Sequence, residues 1–160
     1  QTPAHIVDML PTFFAAGNAR VSSSHPIDGE NLLPLFKKAN DASFDQRPIF
    51  QYYPFYDHFW GLTPSASIRV GNYKLIEFFG DRVADDGQYL PEGSIELYNL
   101  KADPGETKDL STTEADRATR LRDQLHQWMQ NLSAEIPGPN KHFDPSRQFE
   151  KSKVKPDWIH

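Results

Sequence analysis

The chain has 160 residues with 17 Lys and Arg against 22 Asp and Glu, for a net charge of -5, a length that suits one domain with a single core. That balance offers no basic stripe for nucleic acid, and with no Cys there is no disulfide framework, thiol nucleophile or Cys-based metal site. No apolar run nears the roughly 20 residues of a membrane span, and the residues from Gln1 carry no export-signal pattern, so any such signal lies upstream or does not exist.

Asp8 to Gly17 reads as a short helix, with Asp8 as N-cap, Pro11 in the first turn and Gly17 in the left-handed closing position. Its apolar residues Met9, Leu10, Phe13 and Phe14 are core-like. After His25-Pro26-Ile27-Asp28-Gly29, the apolar but proline-broken Leu32-Leu33-Pro34-Leu35-Phe36 predicts a turn of helix and then an extended segment. The polar stretch Lys37 to Arg47 marks an internal boundary near Asn40.

Strand patterns follow. Ile49 to Tyr53 is β-prone, and Ala66 to Val70, Gly71-Asn72 and Tyr73 to Phe79 predict a hairpin with a type II′ turn. A two-residue turn sets Val70 opposite Tyr73 and Ile68 opposite Leu75. It also sets Arg69 beside Lys74, a repulsive pair that calls for an acid among Glu96, Asp103, Glu106 and Asp109, or for a bound sulfate or sugar acid. Asp81 to Gly93 lacks the spacing of a Ca²⁺ loop and predicts a solvated hairpin tip. A further strand runs from Ser94 to Leu100, with Ile95 and Leu97 alternating against Glu96 and Tyr98. Ser111-Thr112-Thr113-Glu114 matches a capping box, and Ala118, Leu121, Leu125, Trp128, Met129 and Leu132 recur at helical spacing up to Pro137. The expected fold class is α+β: a small antiparallel sheet of about four strands packed by a C-terminal amphipathic helix, after a short helical segment. The tail beyond Asn140 reads as irregular.

Autonomous chemistry is hard to find. There is no zinc spacing, P-loop, dinucleotide fingerprint or G-x-S-x-G elbow, so no catalytic or metal-binding residue is expected in this chain. The densest unusual segment is Tyr52-Tyr53-Pro54-Phe55-Tyr56-Asp57-His58-Phe59-Trp60-Gly61. Such rings give apolar area at low entropic cost for stacking on sugar faces, while hydroxyls, Asp57 and His58 can bond sugar hydroxyls or sulfate. The same rings also suit core packing between sheet and helix.

Several blocks in register resemble one family: Asp8-x-x-Pro11-Thr12 with Gly17, Asp28-Gly29 with Leu32-Leu33-Pro34-Leu35, Arg47-Pro48, and Ile68-Arg69-x-Gly71-Asn72-Tyr73-Lys74-Leu75-Ile76. To these add Leu97-Tyr98-Asn99-Leu100 with Asp103-Pro104-Gly105-Glu106, and the Trp128 helix followed by Ile136-Pro137-x-Pro139-Asn140. From Asp8 to about Asn140 the chain resembles the C-terminal end of arylsulfatase-type, formylglycine-dependent sulfatases of the alkaline phosphatase superfamily. It departs from the family pattern at Asn72 and Tyr73, where an aspartate and a tryptophan are common, and at Gln51 and Phe55, where many relatives carry histidines.

The resemblance implies a parent enzyme that hydrolyses sulfate esters, with a large N-terminal α/β domain carrying a formylglycine made from Cys or Ser in a C/S-x-P-x-R motif and a divalent cation, usually Ca²⁺. No position here matches those motifs. It further implies that residues 1–40 end the large domain, residues 41–140 form the C-terminal subdomain and residues 141–160 are a tail. The chain alone is then expected to be inactive, to wall one side of the cleft, and to meet the organic part of a sulfated sugar through Gln51, Tyr53, Tyr56, His58 and Trp60; apart from the resemblance, the hairpin register makes Arg69 and Lys74 candidate anion contacts. Localisation is expected to be periplasmic or secreted, as for relatives. The alternatives are a non-catalytic carbohydrate-binding or interaction module, and the end of a phosphonate or phosphoester hydrolase of the same superfamily.

Overall fold

Gly71 alone in the Gly71-Asn72 turn takes a positive φ, 58°, as the first central position of a type II′ turn demands, and this turn fixes the register of the domain's central hairpin. The structure is a computed structural model that describes residues 2–20, 24, 26–37, 42–57, 62–83, 89–136 and 138. Strand β2 (Ser65–Val70) pairs with β3 (Tyr73–Phe78) so that Val70 faces Tyr73, Arg69 faces Lys74 and Ile68 faces Leu75, as the spacing predicts. β1 (Ile49–Tyr53) adds antiparallel to β2, and β6 (Ile95–Asn99) adds antiparallel to β3, giving the order β1-β2-β3-β6. Between β3 and β6 the chain forms a separate two-stranded ribbon, β4 (Arg82–Val83) with β5 (Tyr89–Leu90); the tip between them lies outside the described residues.

Helix α4 (Ala115–Asn131) covers one face of the sheet. Its buried stripe Ala118, Leu121, Leu125 and Met129 meets Ala66, Ile68, Leu75 and Leu97, so helical period 3.6 and strand period 2 close on one core. Trp128 stacks on Phe50 at 4.6 Å with rings 1° from parallel. A polar seam crosses this core. Glu77, 3% exposed, accepts from Arg122 at 2.7 and 3.0 Å and lies 2.5 Å from His126 Nε2. The outer edge of β6 is sealed by the loop before α4, where Leu97 N–H donates to Asp109 and Leu110 N–H donates to the Leu97 carbonyl.

Several details differ from the sequence expectation. α1 (Met9–Ala16) is entered through a 3-10 turn, Ile6–Asp8, so Asp8 makes no side-chain cap to α1; its carboxylate is engaged elsewhere. Gly17 has φ -83° and Asn18 takes the left-handed position at φ 50°, since a short polar side chain tolerates that region. Met9, Leu10 and Phe13 are exposed rather than core. The capping box before α4 does not form: Ser111 bonds Asp109, while Glu114 spends its carboxylate on Arg117 and the Tyr73 hydroxyl. α4 also stops at Asn131, short of Pro137, leaving Leu132 exposed as Ser133 turns at φ 53°. The proline-broken segment 32–36 is not part extended as expected: α2 (Leu33–Lys37) runs through it, with Pro34 in its first turn where no backbone N–H is needed, and α3 (Ala42–Asp45) precedes β1; the boundary near Asn40 lies outside the described residues.

Candidate functional site

Strand alternation divides β1 between two surfaces. Phe50 and Tyr52 turn toward α4, with the Tyr52 hydroxyl donating to the Glu135 carbonyl, so Gln51 and Tyr53 belong to the opposite face. There they sit across from Ser67 and Ser65, and Ser67 Oγ donates to Gln51 Oε1 at 3.3 Å. Gln51, Tyr53, Ser67, Lys74, Ile76 and Phe78 line a groove of about 660 Å³ on this face, with His5 and Leu62 at its margins. The groove thus combines aromatic and aliphatic walls with an amide, hydroxyls and one ammonium, a mixture that suits a polyhydroxylated ligand.

The aromatic loop leaves from the Tyr53 end. Tyr53 packs on Phe55 with ring centroids 4.1 Å apart, and the loop is closed by a bridge in which Asp57 and Leu62 exchange both backbone hydrogen bonds, at 2.9 and 3.0 Å. Tyr56 lies over Gly80, where a Cβ would fall 2.2 Å from the Tyr56 hydroxyl and 2.8 Å from its ring. The absent side chain therefore makes the seat of that phenol. Burial, and then the charge of Asp81, push the Tyr56 hydroxyl pKa up. Of the predicted contact residues, Gln51, Tyr53 and Lys74 share the groove and Tyr56 stands at the β3–β4 corner. His58 and Trp60 lie outside the described residues.

The two cations of the hairpin part company. Lys74 Nζ is held by both Glu106 oxygens at 2.8 Å, so Glu106 is the acid over that lysine. Arg69 donates only its Nε, to the Gly71 carbonyl at 3.2 Å, and lines a different pocket at the turn end of the sheet. The Asp103-Pro104-Gly105-Glu106 turn positions Glu106. Asp103 accepts from the backbone N–H groups of Lys108 and Thr107 and from the Thr107 hydroxyl, and these bonds, that to Lys108 foremost, hold its carboxyl below its ordinary range.

Two polar clusters escape sequence reasoning. Asp8 is fully buried and takes a two-pronged grip from Arg47 at 2.7 Å on each oxygen, plus the N–H groups of His5 at 2.7 Å and Glu30 at 2.9 Å. Burial would raise its pKa, but Arg47 and the two backbone donors overcome this and hold it down to about 2. Thr12 supports the same node, donating to the Asp8 carbonyl and accepting from Leu32 N–H. Gly29 fits because any Cβ would lie 2.1 Å from the Val7 carbonyl oxygen. The second cluster is Arg82, bonded to Glu96 and lying 3.8 Å over the Phe78 ring, with the Tyr98 hydroxyl donating to Glu96 at 2.8 Å. Burial first, and Glu96 second, push the Tyr98 pKa up. The Asp8 node joins residues 22 and 39 positions apart, and Arg82 meets Glu96 only because the β4–β5 ribbon folds back beside β6; spacing carries no signal for either.

Among the described residues no three His, Asp or Glu side chains come together to hold a metal ion, and the chain has no Cys. These residues do not fit a resident cation or a Cys-derived nucleophile.

Comparison with known proteins bears on the whole domain. Residues 4–135 match the family model described as N-sulphoglucosamine sulphohydrolase, C-terminal. A protein from Formosa agariphila named "Sulfatase" is 24% identical over 137 residues, covering 78% of this chain and 23% of that protein. The crystal structure of Ps i-CgsB in complex with k-i-k-neocarrahexaose superposes with a TM-score of 0.60 at 23% identity, over 80% of this chain and 24% of that one. That of BT4656 with its substrate D-glucosamine-2-N,6-O-disulfate gives 0.54 at 24% identity, over 79% and 23%. The likeness to the solved structures is one of fold, and the chain spans about a quarter of the length of the relatives it matches.

Proposed function

Because the chain belongs to the N-sulphoglucosamine sulphohydrolase C-terminal family, we propose that it is the substrate-facing tail of an enzyme that hydrolyses sulfate esters of carbohydrates. The single observation that carries this reading is the placement of Gln51 and Tyr53 in a groove on the sheet face left open by α4. On that face the Gln51 amide and the Tyr53 hydroxyl are available to sugar hydroxyls, and the Tyr53 and Phe55 rings to the apolar face of a pyranose. Tyr56, seated over Gly80, is a further contact in this reading, and His58 and Trp60 are proposed contacts from the sequence of the same loop. The relative solved with D-glucosamine-2-N,6-O-disulfate, and the one solved with a neocarrahexaose, support that substrate class.

The nucleophile, a formylglycine, and a cation such as Ca²⁺ belong in this reading to a large N-terminal α/β domain of the same polypeptide, and no step of the hydrolysis is assigned to this chain. Residues 1–40 then complete the large domain, residues 41–140 are the subdomain and residues 141–160 the tail. The exposed Ile6, Leu10, Phe13 and Phe36 support that division, since a contiguous apolar surface marks a missing partner. They also weigh against a free-standing binding module. Export to the periplasm or the medium fits a polymeric sugar substrate; no helix among the described residues is long and apolar enough to cross a membrane.

The test is sulfate release from sulfated saccharides by the full-length protein and by these 160 residues alone. Turnover by the full-length protein and none by the 160 residues is the expected result. Turnover by the 160 residues contradicts the division of labour, and phosphoester rather than sulfate hydrolysis by the full-length protein contradicts the reaction class.

A further inference from the structure

We infer that the pocket beside the Gly71-Asn72 turn is an oxyanion site built on Arg69, at the opposite end of the strands from the aromatic loop. The inference does not rest on the cleft-wall reading. β2 spans six residues, so the two ends lie roughly 20 Å apart.

Arg69 and Lys74 are lateral neighbours, and their repulsion needs compensation. Glu106 supplies it to Lys74 alone, through both oxygens. Arg69 is fixed by its Nε bond to the Gly71 carbonyl, which leaves both terminal nitrogens, and so a two-pronged donor face, with no partner among the described residues. That face borders a pocket of about 790 Å³ whose other polar walls are Lys101, Gln46, Asn72 and Asp45, along with Glu106. Gln46 is held against the turn: a Cβ on Gly71 would stand 3.1 Å from its Nε2. Asp45 already accepts the Thr2 hydroxyl at 2.9 Å, and Glu106 is neutralised by Lys74. Two cations thus stand against one carboxylate in a chain whose net charge is -5.

A guanidinium with a free fork, backed by amides and an ammonium, selects a sulfate or carboxylate over a neutral group. That oxyanion has two sources: an anionic substituent on a saccharide, or a carboxylate from another segment of the same polypeptide.

Crystals of the full-length protein soaked in selenate test the site without any mutation. The expected result is anomalous selenium density on the Arg69 guanidinium, stronger than at the exposed Arg120, or a carboxylate of the same polypeptide already bonded to both terminal nitrogens. Selenate no stronger at Arg69 than at Arg120, with no carboxylate there, overturns the inference. Arg69→Gln then separates the sources. If a saccharide supplies the anion, the Michaelis constant for a disulfated sugar rises about tenfold while that for a monosulfated sugar holds, as loss of one charge-assisted contact implies. If the polypeptide supplies it, both constants hold and the melting temperature falls.

Discussion

Asp8 shows how much one carboxylate can organise. It joins the 3-10 turn, the Asp28-Gly29 loop and the start of β1 through Arg47, with no exposed surface. Removing one member of such a pair strands a buried charge, so Arg47→Met is expected to cost about 3–5 kcal/mol in denaturant unfolding. The pH dependence has a definite sign. A carboxyl held at about 2 in the folded state contributes its stability above the unfolded value near 4 and loses it as pH falls toward 2, an effect of about 2 kcal/mol. Asp8→Asn should flatten that segment of the stability curve between pH 4 and 2; an unchanged acid limb would show that other carboxyls set it. Gly80 acts by absence. Gly80→Ala places a methyl carbon on the Tyr56 hydroxyl, so its cost should shrink by about 1–2 kcal/mol in a Tyr56→Ala background, a coupling within the range for touching residues. Additive costs would mean that the phenol does not occupy that seat.

At the level of elements, α4 and the sheet hold one another through Leu125, which is fully buried against Ile68, Leu75 and Leu97. Leu125→Ala should cost about 2–5 kcal/mol. Arg122→Ala, which leaves buried Glu77 with His126 alone, should cost about 1–3 kcal/mol. Both are read from urea midpoints at unchanged slope. These elements were legible in the sequence because their information is local. A Gly-first two-residue turn permits one register for β2 and β3, and the spacing of Ala118, Leu121, Leu125 and Met129 permits one buried stripe. The start of α4 was less legible, because Glu114 has competing partners in Arg117 and Tyr73 that only the fold brings near. The pairing of Asp8 with Arg47 was hidden for the same reason, at a separation of 39 residues. Alternation put Gln51 and Tyr53 together on one face, but which face stays open depended on the Phe50–Trp128 stack. In α1 the apolar residues read as core-like, but Met9, Leu10 and Phe13 are exposed, because apolar character alone does not say whether a covering surface lies within these 160 residues.

On the scale of the whole molecule, the sheet presents two unlike faces. One is sealed by α4, and the other carries the groove, the Arg82–Glu96–Tyr98 cluster and the aromatic loop at one end, with the Arg69 pocket at the other. The open apolar surface of α1 and Phe36 adds a third region that needs a cover. The 160 residues alone are therefore expected to self-associate in light scattering at micromolar concentration, and Leu10→Glu with Phe13→Ser should reduce this; a monomer with either sequence would mean that the apolar surface is covered from within. The central claim is that the groove face sets the fit of the sulfated sugar while the chemistry resides elsewhere in the parent enzyme. Its most direct test is the steady-state kinetics of sulfate release by the full-length protein carrying Gln51→Ala and Tyr53→Ala. The expected result is a Michaelis constant raised tenfold or more with turnover at saturation within about twofold, the signature of lost uniform binding; an unchanged Michaelis constant, or a collapse of turnover with binding intact, would overturn the role given to this face.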